Sequence, residues 1–96
     1  MSKVILQGYI VVSDSDLKAV KAELPNHIRL TRAEAGCIVF NVVQDSQTPN
    51  LFDVYEKFAD QAAFEQHQTR VKGSYWGQVA SNVERHYSIT MSEADS

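Results

Sequence analysis

Two side chains in the stretch 51–69, LFDVYEKFADQAAFEQHQT, can move protons from an apolar setting: Glu56 and His67. Phe52, Val54, Glu56 and Phe58 alternate along a strand-like segment, so the carboxylate shares a side with large apolar groups. Asp60 reads as the N-cap of a following helix, on which Ala63, Phe64, His67 and Val71 form one stripe by i+3, i+4 and i+7 spacing. An imidazole on that stripe faces the interior. With an ordinary pKa near neutrality it can take a proton from a phenol or an activated C–H and return it to a peroxide intermediate. The same spacing also suits a core histidine bonded to a backbone carbonyl. Buried beside Phe52, Val54 and Phe58, Glu56 has a raised pKa unless a donor reaches it, and can orient His67 or act as an acid. The alternative is a structural carboxylate tied to Arg32, Arg70 or backbone amides. Asn41, on the neighbouring strand, can donate to an anionic substrate oxygen in the manner of an oxyanion hole, or else faces solvent or a subunit contact.

Trp76, Tyr75, Tyr55 and Phe64 are the candidates to line a flat aromatic slot, because planar molecules stack on such rings. A Trp spaced with Val79, Ala80 and Val83 is equally at home in a core. His27, at the edge of the first helix stripe, and His86, alternating with Arg85 and Tyr87, are left out of the site. The three histidines lack the close spacing of a metal centre and have no Cys-x-x-Cys or His-x-x-x-His support, so no metal is expected. Cys37 follows a helix end and has no feature that lowers a thiol pKa; it reads as a buried small hydrophobe.

The elements that must position these groups follow from periodicity. Residues 3–12, KVILQGYIVV, form a strand with Val4, Leu6, Ile10 and Val12 on one side and Ile5, Tyr9 and Val11 on the other. Gly8 marks a bulge or a close backbone approach. Ser13 begins a helix, with Asp16 as its capping-box partner and Val12 and Leu17 as a staple. Its inner stripe is read as Leu17, Val20, Leu24, Ile28, Thr31 and Ala35, one phase carried across Pro25, with Gly36 as the C-terminal stop. Leu30 falls off that stripe. Residues 37–44, CIVFNVVQ, form a second strand, with Ile38, Phe40 and Val42 opposed to Cys37, Val39, Asn41 and Val43. The turn cluster DSQTPN leads by a hairpin into the 51–58 strand. After the His67 helix come a break at Lys72 and Gly73, a short helix around Trp76, and a last strand over 84–91, with a frayed tail from residue 92 to residue 96. The order β-α-β-β-α-β, its second helical region split, predicts a ferredoxin-like α+β fold: a four-stranded antiparallel sheet with helices on one face. Apolar residues on both sides of the first three strands leave one face needing a cover, and a second copy of the chain is the economical one.

Length and charge narrow the function further. Ninety-six residues make one domain, 1–96, with its core at about 4–89. A net charge of −3 without a Lys/Arg run gives no electrostatic footprint for nucleic acid or an anionic membrane surface. No apolar run approaches the roughly 20 residues of a membrane span. A single cysteine and an N-terminus without a signal-peptide pattern lead to the expectation of a cytoplasmic protein.

The run LPNHIRLTRAEAGCIVFNVVQD, the run PNLFDVYEKFADQAAFEQHQTRV and the WGQV and ERHY segments together resemble the antibiotic biosynthesis monooxygenase family of small dimeric α+β barrels, over about residues 4–89. The motifs that carry the resemblance are Glu-Ala-Gly-Cys before a strand, the pair Tyr55–Glu56 in the next, and Phe64-x-x-His67 on the helix. The resemblance implies a homodimer, a pocket between sheet and helices, and oxidation of quinol-like or polycyclic aromatic substrates by dioxygen with no metal or flavin cofactor. Some haem-oxidising relatives place Trp where His67 stands and ligate iron with a further His; the segment TRVKGSYW has none, which counts against haem. Many members also carry a His-aromatic pair just after Phe-x-x-His, where this chain has Val71, Lys72 and Gly73, which counts against any two-histidine mechanism. The expected function is a cofactor-independent monooxygenase with His67 as base. Its rivals are a non-catalytic dimeric module binding a small hydrophobic metabolite and a haem-binding or haem-degrading relative.

Overall fold

The computed structural model describes residues 2–92. Strand β1 (Lys3–Val11), helix α1 (Asp14–Arg32), strands β2 (Cys37–Gln44) and β3 (Leu51–Phe58), helices α2 (Gln61–Lys72) and α3 (Tyr75–Val79) and strand β4 (Glu84–Ser92) follow in that order. The strands form one antiparallel sheet in the order β2-β3-β1-β4, the ferredoxin-like arrangement expected from periodicity. Of the tail expected to fray, Ser92 ends β4 and the remaining residues lie outside those described.

Alternation sorts the strands into two faces. Val4, Leu6 and Ile10 of β1 and Phe52, Val54 and Phe58 of β3 are buried in one cluster with Val20 of α1, Phe64 of α2 and Trp76 of α3. Burying such side chains contributes roughly 1.5–3 kcal/mol each, which makes this face the main source of stability. The opposite face leaves Tyr9 37% and Val43 61% exposed. On it the His86 ring stacks on Tyr9, the residue it pairs with across the β1–β4 ladder, with ring centroids 4.6 Å apart. Gly8 has φ +153° and a Cβ built there would meet the His86 carbonyl oxygen at 1.9 Å, so the expected close backbone approach is what this glycine permits.

Three local readings change. Helix α1 runs unbroken through Pro25 but ends at Arg32, with Ala33 as C-cap in the right-handed region. Gly36 is therefore not a helix stop. Its missing side chain instead makes room for Ala63 of α2, whose Cβ would lie 2.3 Å from one added at Gly36. Ser13 makes no side-chain cap bond; its hydroxyl donates to the Asp16 carboxylate, which removes the expected capping box. At the start of β2 a bulge separates Cys37, paired with Phe58, from Val39, paired with Lys57. Cys37 thereby turns to pack on the core while Ile38 is left 48% exposed. By contrast Asp60 caps α2 as read, accepting from the Ala63 amide at 2.8 Å. Among the described residues no helix is long and apolar enough to cross a membrane.

Candidate active site

The inner stripe of α1 passes through His27, not Ile28. From Val20 a step of seven residues returns to within about 20° of the starting direction, whereas a step of eight overshoots by about 80°. Val20, His27 and Thr31 are accordingly the buried residues of α1, and Ile28 lines an outer groove with Lys21, Leu24 and Pro25. That groove, about 620 Å³, is larger than any space near His67 but shallow, and its lining has no carboxylate or imidazole.

Between the sheet and the three helices lies a smaller cavity of about 200 Å³, into which His67, Glu56, His27 and Trp76 converge. Tyr87 and Arg85 of β4 close one side. Arg85 donates to the Ala80 carbonyl at 3.0 Å, tying α3 to β4.

His67 is 3% exposed and its environment differs at its two nitrogens. Nδ1 lies 3.1 Å from a Glu34 carboxylate oxygen, and the same oxygen accepts from Arg70 Nε at 2.6 Å. Arg70 in turn donates to the Thr31 hydroxyl at 2.9 Å. A carboxylate only accepts, so Nδ1 carries the ring proton and Nε2 presents a lone pair. Burial lowers the His67 pKa, and Glu34, through its hydrogen bond and its charge, offsets part of that. The ring is thus a neutral base at neutral pH. Glu56 Oε1 stands 3.8 Å from Nε2, beyond hydrogen-bond reach. Burial first, and the charge of Glu34 second, raise the Glu56 carboxyl from 4.5 to about 7. Arg32 and Arg70, the cations expected to pair with Glu56, donate elsewhere: Arg32 to the Phe40 carbonyl and Asn41, Arg70 to Glu34 and Thr31.

The structure brings His67, Glu56 and Trp76 to one cavity and separates the other sequence candidates from it. Asn41 pairs with Tyr55 across β2 and β3, whereas Phe40 is the residue opposite Glu56. Because successive strand side chains point to opposite faces, Asn41 and Tyr55 stand on the uncovered side of the sheet, which corrects both assignments. Asn41 is exposed and accepts from Arg32 at 3.1 Å. Tyr75, at the first turn of α3, is 61% exposed and does not line the cavity, another correction. Phe64 is buried behind His67, its ring 5.7 Å from Phe58, and serves as core.

Two residues around His67 were missed. Glu34 sits in the turn between α1 and β2, held by its amide bonding to the Thr31 carbonyl and its carbonyl accepting from Cys37; it is the Glu of the Glu-Ala-Gly-Cys motif, so the signal was present. His27 was signalled by its seven-residue spacing from Val20. Burial also raises the Cys37 thiol, in keeping with a packing role. Among the described residues no group of three His, Cys, Asp or Glu is placed to hold a metal ion.

Residues 3–72 match the sequence profile of the antibiotic biosynthesis monooxygenase family. Solved structures share the fold over nearly the whole chain. A Pseudomonas aeruginosa protein is 23% identical with a TM-score of 0.71, covering 95% of this chain and 92% of its own. A Deinococcus radiodurans protein, provisionally assigned as an antibiotic biosynthesis monooxygenase, is 24% identical with a TM-score of 0.67, covering 97% and 93%. A Nitrosomonas europaea protein with the same provisional assignment is 17% identical with a TM-score of 0.70, covering 94% and 86%. No significant match to a curated protein sequence was found.

Proposed function

Since the chain belongs to the antibiotic biosynthesis monooxygenase family, we propose that it oxidises a small phenol or quinol with dioxygen, His67 acting as the base. The observation that carries this reading is the bare Nε2 of His67, kept as a lone pair by Glu34 at Nδ1 on a ring that lines the cavity between sheet and helices. His67 takes the phenolic proton. The resulting anion passes one electron to dioxygen, and the substrate radical and superoxide combine into a C–O–O bond protonated by the His67 imidazolium. Loss of the C–H proton at that carbon then forms C=O as the O–O bond breaks. One oxygen atom stays in the quinone product and the other leaves as water, so dioxygen accepts four electrons and the ring supplies them. The protein contributes desolvation, orientation and proton transfer. Glu56, with a pKa near neutrality, is suited to hand on the proton released at the second step.

The volume narrows the substrate. A cavity of roughly 150 Å³ holds benzene, so about 200 Å³ favours a single substituted ring over a polycyclic one or a porphyrin. Dioxygen uptake across a panel of phenols, quinols and anthrones tests the reading, with ¹⁸O₂ expected to leave one labelled atom in the product. Binding of the same rings without uptake supports the non-catalytic module instead. The uncovered sheet face, with Tyr9 and Val43 exposed, supports pairing of two copies sheet to sheet; a monomer by light scattering at micromolar concentration would remove that part.

A further inference from the structure

Nothing in the reaction above uses His27, yet its ring is 4% exposed and lines the same cavity as His67. It lies flat on Trp76, centroids 4.5 Å apart and planes 4° from parallel, with Phe40 edge-on at 5.3 Å. Its centroid is 6.1 Å from that of His67. The stack fixes the plane of the ring. Nδ1 of His27 is fully buried with no hydrogen-bond partner. A proton there would be a buried N–H with nothing to accept it, a more costly arrangement than an idle lone pair. The ring proton therefore belongs on Nε2, the nitrogen on the far side of the ring from its attachment. Burial, then the neighbouring His67 and Arg70, push the His27 pKa down to about 3, so the ring stays neutral at ordinary pH.

The two imidazoles are then opposite in kind. His67 offers a lone pair and His27 an N–H. We propose that His27 is the neutral hydrogen-bond donor of this cavity, holding through Nε2–H the oxygen of a single-ring phenol or quinol as His67 removes its proton. A neutral imidazole N–H is too weak an acid to return a proton to that oxygen, so it stabilises the anion without quenching it, the role an oxyanion hole performs. This is the part expected of Asn41, supplied from α1. The inference rests on the proposed phenol chemistry, and its test separates the two.

Long-range ¹H–¹⁵N spectra of histidine-labelled protein between pH 5 and 8 are expected to show His27 as neutral with the proton on Nε2 throughout. An imidazolium, or a proton on Nδ1, would overturn the proposal without any ligand present. With 4-nitrophenol as the probe, absorbance of the phenolate reports ionisation in the cavity. The bound probe is expected to ionise at lower pH than the free one; His27→Phe is expected to weaken the phenolate form by about tenfold or more, and His27→Gln, which keeps an N–H at similar reach, to retain most of the effect. Binding with the same ionisation in wild type and His27→Phe overturns the donor role alone. Absence of binding to wild type overturns the phenol reading of the cavity and the donor role with it.

Discussion

The two ends of the cavity solve the burial of an imidazole in different ways. At the α2 end His67 is held in a charged chain, Arg70 to Glu34 to Nδ1, with Glu56 3.8 Å from the other nitrogen. At the α1 end His27 has a stacked Trp, an edge-on Phe and an unpartnered Nδ1. The difference teaches which ring can exchange protons. His67 keeps the Glu34 carboxylate beside it, which favours an imidazolium once formed against the opposing charge of Arg70; His27 is pushed the other way by burial, His67 and Arg70 together, and its pKa falls to about 3.

The largest way to sharpen that contrast is acid stability. A histidine whose folded pKa of about 3 lies below its ordinary 6.5 contributes stability that is present above pH 6.5 and lost as pH falls toward 3, because only the unfolded chain binds the proton. His27→Phe should remove roughly 4 kcal/mol of that loss by pH 3, read from urea unfolding at successive pH values; an unchanged acid profile would mean the α1 end is wet.

Glu56 carries the opposite sign. With its folded pKa raised from 4.5 to about 7, its contribution is intact below pH 4.5 and is lost as pH rises through 7. Glu56→Gln should therefore match wild type at pH 4 and exceed it by roughly 3 kcal/mol at pH 8. Equal stability at both would break the account of a desolvated carboxyl beside His67.

Glu34→Ala frees Nδ1 of His67 and should lower dioxygen uptake by about 10²-fold, whereas Glu34→Gln, which keeps an oxygen for Nδ1–H, should lose less. A rate independent of Glu34 would make the charged chain structural only. The smallest effect is expected away from both ends. Asp60→Ala removes the α2 cap seen at the Ala63 amide and should cost about 1 kcal/mol of stability, with the ionisation of both histidines unchanged by NMR.

How much of this was legible depended on whether a signal was periodic. Strand alternation put Phe52, Val54, Glu56 and Phe58 on one face, and helical spacing put Phe64 and His67 inside, as the structure has them. Asn41 was assigned because its strand neighbours that of Glu56 and Tyr55 because its ring suits a flat slot, and neither reason says which face a residue takes; the pairing of Phe40 with Glu56 and of Asn41 with Tyr55 settles it. Gly36 looked like a helix stop because glycine favours such ends, but its reason is the approach of Ala63, a contact between segments distant in sequence. Glu34 lay in a turn with no period at all, and only folding brings it to His67 and Arg70.

The most direct measurement is the rate of dioxygen uptake by wild type and His67→Ala with the same single-ring phenol or quinol. A fall of about 10²-fold or more is expected in the variant, partly restored by added imidazole; equal rates would rule out His67 as the base.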